Sequence, residues 1–108
     1  KEVGSKEIRI VFDDYSKVGG FKPSAETLFY FIGEVARKKS IGVIMTGMGC
    51  DGADNLSRIK AYSGKTIAQD EETCIVFGMP KAAIKRGNVE YVLPLNKIVA
   101  KIKDLVIQ

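Results

Sequence analysis

Histidine is absent from this 108-residue chain. With no imidazole and no closely spaced cysteine pair, a metal centre is not expected. The two cysteines, Cys50 and Cys74, are too few for a disulfide framework and sit in turn or apolar contexts. Both read as reduced thiols of a cytosolic protein. No apolar run approaches bilayer-spanning length, and no charged-then-apolar signal opens the chain, so membrane insertion is not expected. Internal repeats, low-complexity segments and linkers are missing as well. The first residue is Lys1 rather than Met, as expected of a chain processed, trimmed or cut from something longer.

What remains is an ordinary globular composition, 45% hydrophobic and 28% charged. The length suits one domain with a real core, though it is small for an enzyme built on an α/β sheet. The formal charge of +4 is modest. Its basic residues are scattered, apart from Arg37-Lys38-Lys39 and the Lys97/Lys101 pair one helical turn apart. These read as solvated helix faces. Without a basic stripe interleaved with aromatics, no nucleic-acid partner is expected.

Along the chain, Ile8-Arg9-Ile10-Val11-Phe12 alternates and is β-branched, which predicts a strand, followed by a loop through Asp13, Asp14 and Gly19-Gly20. Lys22-Pro23-Ser24 opens a helix with Ser24 as N-cap and Glu26 at the positive end of the dipole. Its expected buried stripe is Leu28, Phe31, Ile32 and Val35, and its end falls near Arg37-Lys38-Lys39. Ile41 to Thr46 reads as a short strand buried on both faces. A helix is expected from about Gly52 to Tyr62, with Ala53, Leu56 and Ile59 inward and Gly64 just past its end. Lys65–Gln69 and Tyr91–Leu93 read as further strands. Between them, Met79-Pro80 starts a short helix that stops at Gly87. Asn96 is the expected cap of a last helix whose Ile98, Val99, Ile102, Leu105 and Val106 face the core.

Alternating strands and helices imply parallel pairing through helical crossovers. The fold class expected is therefore α/β: an open, mostly parallel, doubly wound Rossmann-like sheet. Ligands gather at the carboxyl ends of strands in such sheets, where Gly47 to Gly52 and Gln69 to Glu72 both fall.

The turn Gly47-Met48-Gly49-Cys50-Asp51-Gly52 is a G-x-G-x-x-G match between a strand and a helix. Asp70 ends the next strand at a spacing suited to a ribose, so a dinucleotide site is one reading. Asp51 opposes it. A carboxylate in that loop would face the pyrophosphate, at a cost on the order of 1–4 kcal/mol. In a second reading the glycines give a sharp path that presents Asp51 at a strand end, where a carboxylate can orient a histidine. The free N–H groups of the same turn could then stabilise an oxyanion. In a third, Asp51 simply caps its helix.

The stretch GVIMTGMGCDGADNLSRIKAYSGKTIAQDEETCIVFGMPKAAIKRGNVEYVLPL closely resembles the catalytic domain of the bacterial chemotaxis protein-glutamate methylesterases. The T-G-M-G-x-D-G turn, the A-Q-[acidic]-E step and V-F-G-M-P-K-A-A stand in the family's order. Upstream, Lys22-Pro23-Ser24 with Leu28-Phe29 matches its [RK]-P-S-x-[DE]-x-L-F helix start. The resemblance covers about residues 8 to 105. It implies that Asp51 is the aspartate of a Ser-His-Asp triad and that the backbone N–H of Met48 helps hold the oxyanion. It further implies hydrolysis of glutamate methyl esters, and in some members deamidation of glutamines, on the cytoplasmic helices of methyl-accepting chemotaxis receptors. No cofactor is implied, and the location would be cytoplasmic.

The chain departs from the family pattern in informative ways. The family's serine and histidine lie N-terminal to everything matched, and a chain without histidine cannot assemble the triad alone. Ser24, Ser40, Ser57 and Ser63 read as caps and surface residues. Phe21 stands where many relatives carry histidine, and the phosphorelay receiver domain usually fused upstream is missing. The expectation is thus the C-terminal part of a methylesterase catalytic domain, residues 1–108, with an incomplete sheet. Cys50 beside Asp51 is a weak nucleophile candidate without a base. Gln69, Asp70 and Glu72 are expected at the cleft rim, with Phe77 and Met79 in the core. A dinucleotide-binding module and a non-catalytic receptor-docking fragment are the alternatives.

Overall fold

Three short strands with β-branched or apolar centres pair in parallel between residues 41 and 93. The structure, a computed structural model, describes residues 24–107 and the backbone of two very short strands. These are β1 (Glu2–Val3) and β2 (Glu7–Ile8), which pair antiparallel. The remainder of the strand expected over 8–12, the 13–20 loop, Phe21 and Lys22-Pro23 lie outside the described residues.

Helix α1 (Ala25–Ala36) starts where expected, because the Ser24 hydroxyl accepts the Thr27 N–H at 3.1 Å. Its buried row is Glu26, Phe29 and Gly33; of the expected stripe, Ile32 packs against the core from the side, and Phe31 and Val35 are only half-buried. Leu28 is 57% exposed. The row i, i+3, i+7 turns inward because α1 packs mainly on a second helix, α2 (Leu56–Ala61), rather than flat on the sheet. After a 3-10 turn over Arg37–Lys39, Arg37 lies 4.5 Å above the Tyr62 ring. Arg58 lies 4.2 Å above Tyr30 and pairs with Glu34. Arg37 is therefore engaged between the helices rather than merely solvated.

The sheet has the order β3 (Ile41–Ile44), β4 (Lys65–Gln69), β5 (Tyr91–Leu93), all parallel. Helix α2 connects β3 to β4 and α3 (Met79–Lys85) connects β4 to β5, while α4 (Leu95–Ile107) follows β5. The strand expected over 41–46 ends two residues early. Gly42 and Ile44 are buried, Ile41 and Val43 are half-buried, and Met45 is exposed. The expectation of burial on both faces fails because β4, not β3, is the central strand of the described sheet.

On one face, Ile44 and Ala68 join Phe29, Ala53, Leu56, Ile59 and Ala83 in a single apolar cluster. Alternation along β4 sends Ile67 to the opposite face, where it too is fully buried. Helix α4 contributes the buried Ile98, but Val99 and Val106, expected to face the core, are exposed. The helix begins at Leu95 directly after Pro94, so Asn96 lies inside the first turn and does not cap it. Ile98, Ile102 and Leu105, at i, i+4 and i+7, form the inward row, and Val99 and Val106 lie to its side. Among the described residues, no helix is long and apolar enough to cross a membrane.

Candidate active site

The carboxyl ends of β3, β4 and β5 lie side by side, with Ile44 opposite Ala68 and Gln69 opposite Leu93. The segments 45–55 and 70–78 therefore leave the sheet along one edge. Beyond Ile44 the backbone is carried by side chains. Gln69, only 1% exposed, accepts the Thr46 N–H through Oε1 at 2.8 Å. Its Nε2 donates to the Thr73 carbonyl at 2.8 Å. Thr73 in turn donates its hydroxyl to Asp70 at 2.7 Å, and Asp70 also accepts the Thr73 N–H at 3.1 Å. Gln69 and Asp70 thus stand at the strand end as expected, with Gln69 buried beneath the segment rather than on a rim, while Glu72 is exposed and Met79 packs against the core.

The peptide between Gly47 and Met48 is oriented by helix α3. The Gly47 carbonyl accepts N–H bonds from Gly78 at 3.0 Å and Met79 at 2.9 Å, and the Gly47 N–H donates to Val76 at 2.9 Å. In a planar trans peptide the N–H points opposite to the carbonyl. The Met48 N–H is therefore directed away from α3, and it has no hydrogen-bond partner among the described residues. The Met48 side chain is 81% exposed. Glycine is required at 78, since a Cβ there would lie 2.7 Å from the Gly47 oxygen.

Asp51 sits in the middle of the same segment, half-buried, and its partners lie on α1. Oδ2 accepts the Ala25 N–H at 2.9 Å and Oδ1 accepts the Glu26 N–H at 3.1 Å. These are two of the orphan donors at a helix N-terminus, where negative charge is favoured. The helix expected from Gly52 instead begins at Leu56. Gly52 adopts a left-handed φ of 90°, and residues 51–55 form successive turns. The reading of Asp51 as the cap of its own helix is thereby corrected: it caps α1. The late start of α2 also leaves no helix N-terminus directly after the glycines, which a pyrophosphate loop needs.

One feature escaped the sequence reading. Glu26 was expected only to complement the α1 dipole, yet it is buried and binds the turn at 54–55. Ser40 is a cap as expected, closing the 3-10 turn by donating its N–H and its hydroxyl to the Arg37 carbonyl at 3.0 and 2.6 Å, and it is buried rather than on the surface. Cys50 is exposed, whereas Cys74 is half-buried. Burial pushes the Cys74 thiol up, the charge of Asp70 adds to this, and a hydrogen bond with the Thr46 side chain opposes it.

A family model described as CheB methylesterase matches residues 2–102. The chain belongs to the CheB methylesterase family. It is 50% identical over 86 residues to a protein-glutamate methylesterase/protein-glutamine glutaminase of Leptospira interrogans, covering 80% of this chain and 25% of that one. A Pyrococcus horikoshii protein of the same description is 48% identical over 89 residues, covering 82% of this chain and 24% of the relative. The crystal structure of the Thermotoga maritima CheB methylesterase catalytic domain superposes with a TM-score of 0.81 at 42% identity. That match covers 87% of this chain and 50% of the solved one. The chain thus spans about a quarter of the curated CheB relatives and half of the solved catalytic domain. Its open parallel α/β sheet is the fold of that domain.

Proposed function

We propose that this chain supplies the aspartate and the oxyanion turn of a protein-glutamate methylesterase. In this reading Asp51 orients the triad histidine and stabilises the histidinium formed when serine is deprotonated. The Met48 N–H receives the developing negative charge of the tetrahedral intermediate. Serine and histidine come from a segment outside this sequence, since the chain has no histidine. The substrates are glutamate methyl esters, and glutamine amides by the same acyl-enzyme route, on cytoplasmic receptor helices. The setting is the cytoplasm, with a receiver domain in the full protein.

The observation that carries the proposal is the pairing of opposite preparations in one segment. A carboxylate is fixed through both oxygens by α1, and three residues earlier a backbone N–H is turned outward by α3. Each oxygen of Asp51 keeps a lone pair for a further donor. The exposed Met48 and Ile75 flank the turn with apolar surface suited to a helical substrate.

The test compares the chain alone with the chain joined to the upstream half of the catalytic domain, using methylated receptor fragments. The joined protein should release methanol, and the chain alone should not. Serine-dependent release by the chain alone refutes the division of labour. Binding of receptor by the joined protein without any turnover supports the docking-fragment alternative instead.

A further inference from the structure

We infer that Glu26 is a positioning residue for Asp51. The two residues are joined in a reciprocal clasp. The Glu26 N–H donates to Asp51 Oδ1 at 3.1 Å, so its backbone fixes the first residue of the 51–55 turn. Its carboxylate fixes the other end. Oε1 accepts the Asn55 N–H at 2.8 Å and the Asn55 Nδ2 at 3.2 Å, and Oε2 accepts the Asp54 N–H at 3.3 Å. One side chain and its own peptide nitrogen thus span the whole turn on which Asp51 rides.

The chemistry of the clasp distinguishes it from ordinary packing. Glu26 is only 4% exposed, and its hydrogen-bond partners among the described residues are donors of that one turn. Removing a carboxylate from water is costly unless its oxygens are satisfied. An apolar residue would join α1 to α2 without that demand, as Phe29 already does. What an apolar residue cannot do is hold the N–H groups of residues 54 and 55. Without that hold, the turn can rotate about Gly52, whose backbone is at φ 90°. The backbone that carries Asp51 would then shift against the α1 N–H groups that hold its carboxylate, tilting the carboxylate from its set direction.

The inference rests on the proposed role of Asp51, and its test separates the two. Turnover and KM for receptor methyl ester are measured for Glu26→Gln, Asp51→Asn and the double variant, in a chain carrying the upstream half of the domain. Glu26→Gln turns one acceptor into a donor facing an N–H. It should lower kcat about 10-fold with KM within about twofold, as a slight misplacement of a catalytic group does. In the Asp51→Asn background the same change should cost nothing further, because its effect runs through the missing charge. Asn55→Ser, which takes away the Nδ2 contact to Glu26 but keeps the backbone N–H bond, should show a smaller kcat loss that likewise vanishes in the Asp51→Asn background. It serves if Glu26→Gln does not fold. An unchanged kcat for these variants beside a crippled Asp51→Asn overturns the role of Glu26 alone, as does an equal cost in both backgrounds. Normal turnover by Asp51→Asn overturns the earlier reading and this one together.

Discussion

The side-chain oxygen of Gln69 accepts the backbone N–H of Thr46 at 2.8 Å, tying the last residue of the central strand to the segment that carries Met48 and Asp51. Its amide nitrogen holds the Thr73 carbonyl at the same time. Gln69→Leu keeps much of the volume but removes both bonds. Unpaired groups of this kind cost about 1–3 kcal/mol. Urea unfolding should show a loss in that range, and an unchanged midpoint would contradict the bridging role.

Gly78→Ala tests the orientation of the proposed oxyanion donor. The added methyl would meet the Gly47 oxygen at 2.7 Å and the Gly49 nitrogen at 3.0 Å, both backbone atoms. Relief requires the Gly47–Met48 peptide to move. Overpacking costs about 1–3 kcal/mol of stability. In the complete enzyme, kcat should fall further than that loss accounts for at temperatures where the protein stays folded. A folded variant with kcat within twofold of the parent would count against Met48.

The two thiols should differ in reactivity. Cys50 is exposed, whereas the Cys74 thiol is raised first by burial and then by the charge of Asp70. A raised thiol has less thiolate at any pH below its own value, and thiolate is the nucleophile. Iodoacetamide near neutral pH should label Cys50 well before Cys74, with Cys74 catching up only under alkaline conditions. Asp70→Asn should speed the labelling of Cys74. Mass spectrometry of peptides reads both, and equal rates at neutral pH would refute the assignment.

The strands and their parallel pairing were legible because each is a β-branched or apolar run bounded by glycine or a helical pattern. Ser24 as N-cap, Pro80 in a first turn and the Gly87 stop were legible for the same local reason. Longer-range relations were not. Asp51 caps a helix 25 residues earlier in the chain, and no spacing rule links the two. The inward row of α1 depends on its packing against α2, so Leu28 and Phe29 exchange the roles that periodicity alone assigned. Gln69 looked like the polar end of a strand, and only its neighbours make it a bridge. Asp51 is legible as a candidate from the glycine turn itself and Met48 only from the family resemblance, while the means by which the chain holds them is visible only in the structure.

The most direct measurement is single-turnover hydrolysis by Asp51→Asn in the complete enzyme, read beside its unfolding midpoint. The amide must place a donor against an N–H of α1, since both carboxylate oxygens now accept from that helix. A stability loss of about 1–2 kcal/mol is therefore expected whatever the catalytic role. Catalysis separates the readings. If Asp51 orients the histidine and balances its charge, turnover should fall on the order of 10³–10⁴-fold in the folded variant, with receptor binding nearly unchanged. A folded Asp51→Asn enzyme that loses stability but turns over within a few-fold of the parent would show that Asp51 is a helix cap and nothing more.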